Sequence, residues 1–194
     1  MADRKFFTGI ATRYVTYEQA YRTVVRESAV AQNQAKRAIF ALHRGDSAEA
    51  NKLLGSALKV LVGFEPLFKK EPMLRYEGAL RAAIEEFLEA SFFRQFVLGN
   101  ELDRVAELSD IDAELYLGGL SDLTGELVRY AVAQATARHF KEVARAKQTL
   151  DEVITFLVSL DLTGYLRQKY DQAKNSLRRM EEVAYDVALK GRGR

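Results

Sequence analysis

Proline is almost absent from this 194-residue sequence, in which Pro66 and Pro72 are the only two. Proline ends or kinks a helix, and the other turn signals of the chain lie far apart. Apolar residues recur at helical spacing, whereas the alternation that predicts a strand is scarce. The sequence therefore predicts an all-α protein, an antiparallel helical bundle or small α/α array of about six to seven helices.

Turn and capping residues set the expected helix limits. The first predicted helix covers residues 4–43 and stops at Gly45, and the second runs from a cap at Asp46 or Ser47 to about Phe68. The third runs from near Pro72 to about Leu98, and the fourth begins at a cap at Ser109 or Asp110 and includes residues 118–129. The fifth covers roughly residues 138–160, and the sixth follows "DLTG" and ends near Lys190. We treat residues 1–190 as a single domain and residues 191–194, "GRGR", as a flexible basic tail.

The composition limits the location and the types of site. The chain has no cysteine, which excludes disulfides and thiolate metal sites. No apolar run reaches the roughly 18 residues of a membrane span, and the N-terminus lacks the apolar stretch of a signal peptide. We therefore expect a cytoplasmic protein without a membrane partner.

The net charge of +2 conceals an uneven distribution. Residues 1–44 hold eight Lys/Arg and three Asp/Glu, residues 162–194 hold eight and four, and the middle holds thirteen and twenty. Two basic ends thus flank an acidic centre. This pattern fits a polyanion partner held near a cation-binding centre, although solvated helix faces also segregate in this way by chance.

The stretch "GGLSDLTGELVR", residues 118–129, places three glycines inside a segment with helical periodicity. Each glycine costs roughly 1 kcal/mol relative to alanine in a helix interior. Asp122 and Glu126 share one helical face with these glycines and with Arg129. Because glycine lets a neighbouring backbone or a ligand come close, we expect another group to approach this face.

The candidate for this group is the segment "AAIEEFLEASFF" of the third predicted helix, which carries a second acidic face. Glu86 and Glu89 are three residues apart and share their face with alanine and phenylalanine, so both sides of this helix should be covered. Buried carboxylates repel one another and are tolerated mainly where cations bind or protons move. These two acids, with Asp122 and Glu126, are therefore candidate catalytic residues and ligands of Mg²⁺ or Mn²⁺ for phosphodiester hydrolysis. The alternative is that the acids form ordinary ion pairs on their own or adjacent helices.

A basic stripe is predicted on the first helix, from Arg22 to Arg44, over about 33 Å at 1.5 Å per residue. Spaced guanidinium groups with an interleaved aromatic ring suit the phosphates and bases of a single-stranded nucleic acid. The alternative is a solvated arginine face that pairs with the acidic middle of the chain. The candidate RNA-binding residues are Arg22, Arg26, Arg37 and Arg44 with Asn33 and Phe40 interleaved, Lys36 beside the stripe, and Arg129 next to the acids.

Other familiar types of site are missing from the sequence. Neither His43 nor His139 is predicted to be catalytic: His43 lies near a helix C-terminus, which favours a histidine, and His139 has no acidic or hydroxyl neighbour at a telling spacing. The Glu-x-x-His pairs of di-iron bundles and the phosphate-binding G-x-x-x-x-G-K motif are both absent. Catalytic Ser-His-Asp triads, di-iron chemistry and P-loop nucleotide binding are therefore poor hypotheses.

Four segments resemble the translin family, and within it the translin-associated factor X (TRAX) branch more than translin itself. In chain order they are "YEQAYRTVVRESAVAQNQAKRAIFALHR", "IEEFLEASFFRQF", "YLGGLSDLTGELVR" and "YDQAKNSLRRMEEVAYDVALKGR". The likeness covers most of the chain and is weakest between residues 45 and 70 and around residues 138–155. Its most specific segments are "DLTGELVR" and "KNSLRRMEEVAYDVALKGR".

The resemblance implies a translin-like helical fold whose subunits form a closed, barrel-like octamer around nucleic acid. It also implies a Mg²⁺-dependent endoribonuclease acting on single-stranded RNA, whose acids correspond to Glu86, Glu89, Asp122 and Glu126. The compact chain leads us to expect a homo-oligomer that needs no separate translin partner. The alternatives are a non-catalytic container for single-stranded RNA or DNA, and a helical scaffold without a nucleic-acid role.

Overall fold

The computed structural model describes residues 3–106, 108 and 111–191. In this part of the chain the elements are α1 (Arg4–His43), α2 (Ser47–Val62), α3 (Glu65–Phe68), a 3₁₀ turn (Pro72–Tyr76), α4 (Gly78–Val97), α5 (Ala113–Thr136), α6 (Phe140–Val158) and α7 (Gly164–Gly191). The described residues form no strand, and the all-α prediction is confirmed. None of the helices described is long and apolar enough to cross a membrane.

The first helix and the turn after it agree with the prediction. α1 has 40 residues, which corresponds to about 60 Å. It stops where Gly45 takes a φ of +77°, a left-handed conformation that glycine adopts without steric cost. The side chain of Asp46 then accepts a hydrogen bond from the backbone N–H of Glu49 and caps α2, as expected.

Two predicted helices are shorter in the structure. The second was expected to reach Phe68, but α2 ends at Val62, and the chain restarts as the short α3 with Pro66 in its first turn. Proline suits a first helical turn, where its missing N–H has no carbonyl to bind. The third was expected to begin near Pro72, but that proline opens the 3₁₀ turn, and α4 starts only at Gly78.

The remaining limits differ by a few residues. Ser109 and Asp110, the predicted caps of the fourth helix, lie outside the described residues; α5 is capped by Asp112, whose side chain accepts from the N–H of Leu115 at 2.9 Å. The next helix was expected from residue 138, but Arg138 has a φ of +64° and α6 begins two residues later. α7 ends at Gly191, and the other residues of the predicted tail lie outside the described part.

α4 and α5 occupy the middle of the bundle. α1 packs on α2 and α4, α4 packs on α5, and α5 packs on α6 and α7. Buried residues surround the α4 axis, including Phe87, Phe92 and Phe93, so the expectation that both sides of this helix are covered is confirmed. Acids on the facing sides of α4 and α5 are consequently partly shielded from bulk water.

Two of the three glycines in residues 118–129 explain how closely these helices approach. A Cβ at Gly119 would lie 2.8 Å from the Cβ of Leu88, and a Cβ at Gly118 would lie 2.6 Å from the carboxyl carbon of Glu85. The group expected to approach this face is therefore α4 itself. A Cβ at Gly125 would meet no heavy atom within 4 Å, so close packing does not explain this third glycine.

Candidate acidic site and nucleic-acid interface

The four predicted acids lie together between α4 and α5, and we call Glu86, Glu89, Asp122 and Glu126 the acidic cluster. Burial, followed by the charges of the three other members, raises the pKa of Glu89 to about 9. Glu89 is therefore mostly protonated at neutral pH. A carboxyl group in this state marks a place where further negative charge is unfavourable and a cation would be stabilised.

Burial also raises the pKa of two other members of the acidic cluster. For Glu86 the effect of burial is opposed by Lys36, and for Asp122 by a hydrogen bond from Lys169. Both pKa values remain above their ordinary range despite these neighbouring cations. The region between α4 and α5 thus holds more carboxyl groups than its basic side chains balance.

Three members of the acidic cluster are paired with basic side chains. Glu86 lies 3.6 Å from Lys36, and Asp122 accepts a hydrogen bond from Lys169 at 2.5 Å. Glu126 lies 3.6 Å from Arg129 and is hydrogen-bonded to His43. Ion pairing, the alternative stated from sequence, therefore describes part of this site. Within the described residues, Glu89 is the member that has no such pair.

His43 lies in the site, and the sequence interpretation missed it. Its side chain is only 10% exposed, its ring centre lies 4.6 Å from that of Phe93, and its Nε2 is hydrogen-bonded to Glu126. His43 and Glu126 are 83 positions apart in the sequence. Helical spacing relates residues on one helix only, so it gives no sign of this contact between α1 and α5.

The sequence interpretation also passed over Glu85, the residue before Glu86. Glu85 is buried and accepts hydrogen bonds from the hydroxyl of Tyr165 and the Nζ of Lys169, both at 2.6 Å. Burial opposes the charged form of Lys169, but hydrogen bonds to Asp122 and Glu85 outweigh it and raise the pKa of the lysine. Burial and the hydrogen bond to Glu85 raise the pKa of Tyr165 to about 12.

The basic stripe lies on the exposed side of α1, where all of its predicted residues are accessible to solvent. Arg22 pairs with Glu18 at 3.0 Å and Arg26 pairs with Glu27 at 2.9 Å, both within the same helix. Such exposed pairs contribute little stability and exchange readily for other anions. The arginines of the stripe therefore remain accessible to a phosphate backbone.

The basic stripe meets the acidic cluster at Phe40 and Arg129. The Phe40 ring is 50% exposed, and the guanidinium carbon of Arg129 lies 4.6 Å from its centre. The same guanidinium group lies 3.6 Å from Glu126, and Lys36 reaches Glu86 from the neighbouring turn of α1. An exposed aromatic ring and two cations thus connect the stripe to the carboxylates.

The acidic cluster suits a hard divalent cation in its chemistry, because Mg²⁺ and Mn²⁺ prefer carboxylate oxygens. As the side chains stand, no three acidic or histidine residues of the described chain are arranged to hold a metal ion. Two of the acids, Glu86 and Glu126, instead contact Lys36 and His43 of α1. A cation would have to replace these partners, of which Lys36 is half exposed and loosely held.

Comparison with known sequences identifies the fold family. The sequence model of the Translin family matches residues 19–191. The chain belongs to the translin family. Chicken (Gallus gallus) translin is 34% identical over 96 residues, which cover 49% of this chain and 42% of that protein. This translin-family chain therefore spans less than half of the length of the curated translins that it matches. Rat (Rattus norvegicus) translin-associated protein X is 26% identical over 98% of this chain and 79% of that protein.

Solved structures confirm the predicted translin-like fold. The crystal structure of apo-NeC3PO superposes with a TM-score of 0.85 at 22% identity, covering 96% of this chain and 98% of that one. The structure of AfC3PO in complex with duplex RNA gives a TM-score of 0.85 at 19% identity, covering 97% and 99%. At these identities the likeness shows the fold alone.

Proposed function

We propose that this translin-family protein binds single-stranded RNA and cleaves it with the help of a bound divalent cation. The observation that carries the proposal is the junction between the basic stripe and the acidic cluster, where Arg129 contacts both Phe40 and Glu126. A strand bound along α1 would pass directly beside the carboxylates. The RNA complex of AfC3PO supports RNA as the class of ligand.

In this proposal the residues of the junction have separate roles. The stripe arginines and Arg129 hold phosphates, and the Phe40 face offers a stacking surface for a base. The acidic cluster would hold Mg²⁺ or Mn²⁺, which when bound polarises the scissile phosphate and makes a bound water a stronger nucleophile. Glu89 would release its proton on binding the cation, since a carboxylate binds metal in its ionised form.

Cleavage of labelled single-stranded RNA with Mg²⁺, with Mn²⁺ and with EDTA tests the proposal. We expect fragments only in the presence of metal, and a loss of at least about a hundredfold in rate for Glu89→Gln or Asp122→Asn. The matched control is Asp171→Asn, which neutralises an exposed acid of α7 outside the cluster and should leave the rate unchanged.

Two results of the same assay would contradict this assignment. Cleavage that continues undiminished in both cluster variants means that the acidic cluster is not the catalytic site. Cleavage that is equal with metal and with EDTA removes the role of the divalent cation. Parallel reactions with duplex RNA and single-stranded DNA define the preferred nucleic acid.

A container that binds RNA or DNA without cleaving it is the second candidate. The ion pairs that already hold Glu86, Asp122 and Glu126 favour it. It predicts binding that weakens steeply with salt, with a smaller log–log slope in Arg26→Ala or Arg37→Ala, and no cleavage with any metal. A filter-binding salt titration beside the cleavage assay separates the two functions.

Self-assembly, with a closed octamer as its expected form, is the third part of the proposal. Residues 4–16 of α1 are all exposed. They carry five large apolar side chains: Phe6, Phe7, Ile10, Tyr14 and Val15. Contiguous apolar surface of this kind is typical of protein–protein contacts. A second copy of the chain is the partner to which we assign this surface.

A further inference from the structure

Among the lysines and arginines that contact the acids of the site, Lys169 is the most enclosed. Its Nζ lies 2.6 Å from Glu85 and 2.5 Å from Asp122, and its side chain is 15% exposed. The hydroxyl of Tyr165, one turn earlier on α7, donates to the same oxygen of Glu85. One ammonium group from α7 thus bridges carboxylates of α4 and α5.

The other basic residues of the site are held differently. Lys36 has one carboxylate partner at 3.6 Å and a half-exposed side chain. Arg129 also has one carboxylate partner at 3.6 Å and is 46% exposed. An arriving cation can displace such partners at low cost, because exposed pairs are weak and their side chains are well solvated. Lys169 has two short carboxylate contacts and little access to water, so its removal would leave the buried carboxylate of Glu85 and the half-buried one of Asp122 without this cation.

We propose that Lys169 is a permanent, tethered cation of the acidic cluster, which occupies the place of a second divalent ion and limits the site to one. This inference rests on the proposed metal-dependent function. A second ion on the side of the cluster that faces α7 would have to use Asp122 or Glu85 as a ligand, and both are bound to the ammonium group. It would also stand within a few ångströms of a positive charge, which disfavours its binding.

Counting bound Mn²⁺ by equilibrium dialysis with elemental analysis tests this inference without any activity measurement. We expect one Mn²⁺ per chain in the wild type. In Lys169→Met the freed carboxylates of Glu85 and Asp122 should accept a second Mn²⁺, and the first should bind about tenfold more tightly or better. Lys169→Arg keeps the charge and should keep one ion.

Two further variants keep the test sound. If Lys169→Met does not fold, as judged by circular dichroism in EDTA, Lys169→Gln keeps hydrogen-bond donors near both acids and should give the same gain. Tyr165→Phe removes the hydroxyl from Glu85 without changing any charge, and its count should stay at one. Unchanged stoichiometry and affinity in the neutral variants would overturn the inference.

The outcomes also separate this inference from the proposed function. Wild-type protein that binds one Mn²⁺ and cleaves RNA, with neutral variants that bind no more, overturns the role of Lys169 alone. Wild-type protein that binds one Mn²⁺ without cleaving RNA, with neutral variants that bind two, supports the role of Lys169 and overturns the metal-dependent function. Absence of Mn²⁺ binding in every variant overturns both.

Discussion

A single side chain, Glu89, shows how this fold accommodates a carboxyl group among other acids. It lies between two packed helices, close to the other three members of the acidic cluster, and its pKa is about 9. The proton neutralises a group that would otherwise be a half-buried, unpaired anion. The stability of the protein should therefore depend on pH through this residue.

The sign of that dependence follows from proton binding. The pKa of Glu89 rises from 4.5 to about 9 on folding, so between these values the folded state holds a proton that the unfolded chain releases. The contribution to the unfolding free energy is complete below about pH 4.5, falls as the pH rises to about 9, and is then constant. In Glu89→Gln this loss, on the order of a few kcal/mol, should disappear.

Urea unfolding in EDTA at several pH values measures the difference. Glu181→Gln is the control, since Glu181 is an exposed acid on α7. Glu89→Gln should be more stable than this control at pH 9 and closer to it at pH 5. Parallel stability–pH curves for the two variants would refute the burial argument.

Gly118 provides a second test at the scale of one residue. Alanine there would place a Cβ 2.6 Å from the carboxyl carbon of Glu85, forcing that side chain away from Tyr165 and Lys169. We expect a net loss of roughly 1–3 kcal/mol in unfolding free energy, after the gain in helix propensity. Gly125→Ala is the matched control, because its Cβ meets nothing within 4 Å, and it should be stabilised by about 0.5–1 kcal/mol. Equal stabilities of the two variants would show that the packing of α4 on α5 does not require glycine at position 118.

At the scale of single helices, the sequence predicts what depends on local signals. Gly45 and Asp46 define the end of α1 and the start of α2, because a left-handed turn and a side-chain cap are local interactions. The break at Val62 was missed. Phe64 and Phe68 are buried at this point, and the core contacts that place them cannot be inferred from local spacing.

The contacts of the candidate site also fall into two groups: those within one helix, which the sequence predicts, and those between helices, most of which it does not. Glu86 with Glu89, and Asp122 with Glu126, were predicted because each pair lies on one helix at a helical spacing. Glu85 with Lys169, and Glu126 with His43, were missed because their partners lie on α7 and α1. These contacts depend on how the helices pack. The glycines at 118 and 119 were a visible sign of close packing, and the acidic segment of α4 was correctly predicted as their neighbour.

Asp112 gives a prediction about the start of α5. Its side chain accepts from the N–H of Leu115 at 2.9 Å and from Arg81 of α4 at 2.6 Å. Asp112→Ala loses both contacts and should lower the unfolding free energy by about 1–2 kcal/mol. Asp112→Asn keeps the cap and loses only the charge, so it should lose less than half of that amount. Thermal or urea unfolding of both variants shows whether the cap or the ion pair with Arg81 contributes more to stability. An equal loss of unfolding free energy in the two variants would assign the main contribution to the ion pair.

At the scale of the whole molecule, α1 extends beyond the bundle that it helps to build. Its first buried residue is Ala20, and residues 4–16 are exposed. A helical segment of this length without packing is marginal in water. Phe6, Ile10 and Tyr14 follow one another at a spacing of four residues and form one side of the segment. Burial of that side against another copy would stabilise both the helix and the assembly.

Sedimentation velocity of Ile10→Asp tests this role of α1. A charge in the middle of the apolar side should be excluded from a buried contact between copies, since an unpaired buried carboxylate is strongly unfavourable. We expect the variant to sediment as a much smaller species than the wild type at the same concentration, with its helical circular dichroism largely kept. Val158→Asp is the control, because Val158 is 60% exposed at the end of α6, away from this segment in sequence, and should retain the wild-type mass. An unaltered mass in Ile10→Asp would exclude the first turns of α1 from the contact between copies. Their exposed apolar side would then not bind a second copy of this chain.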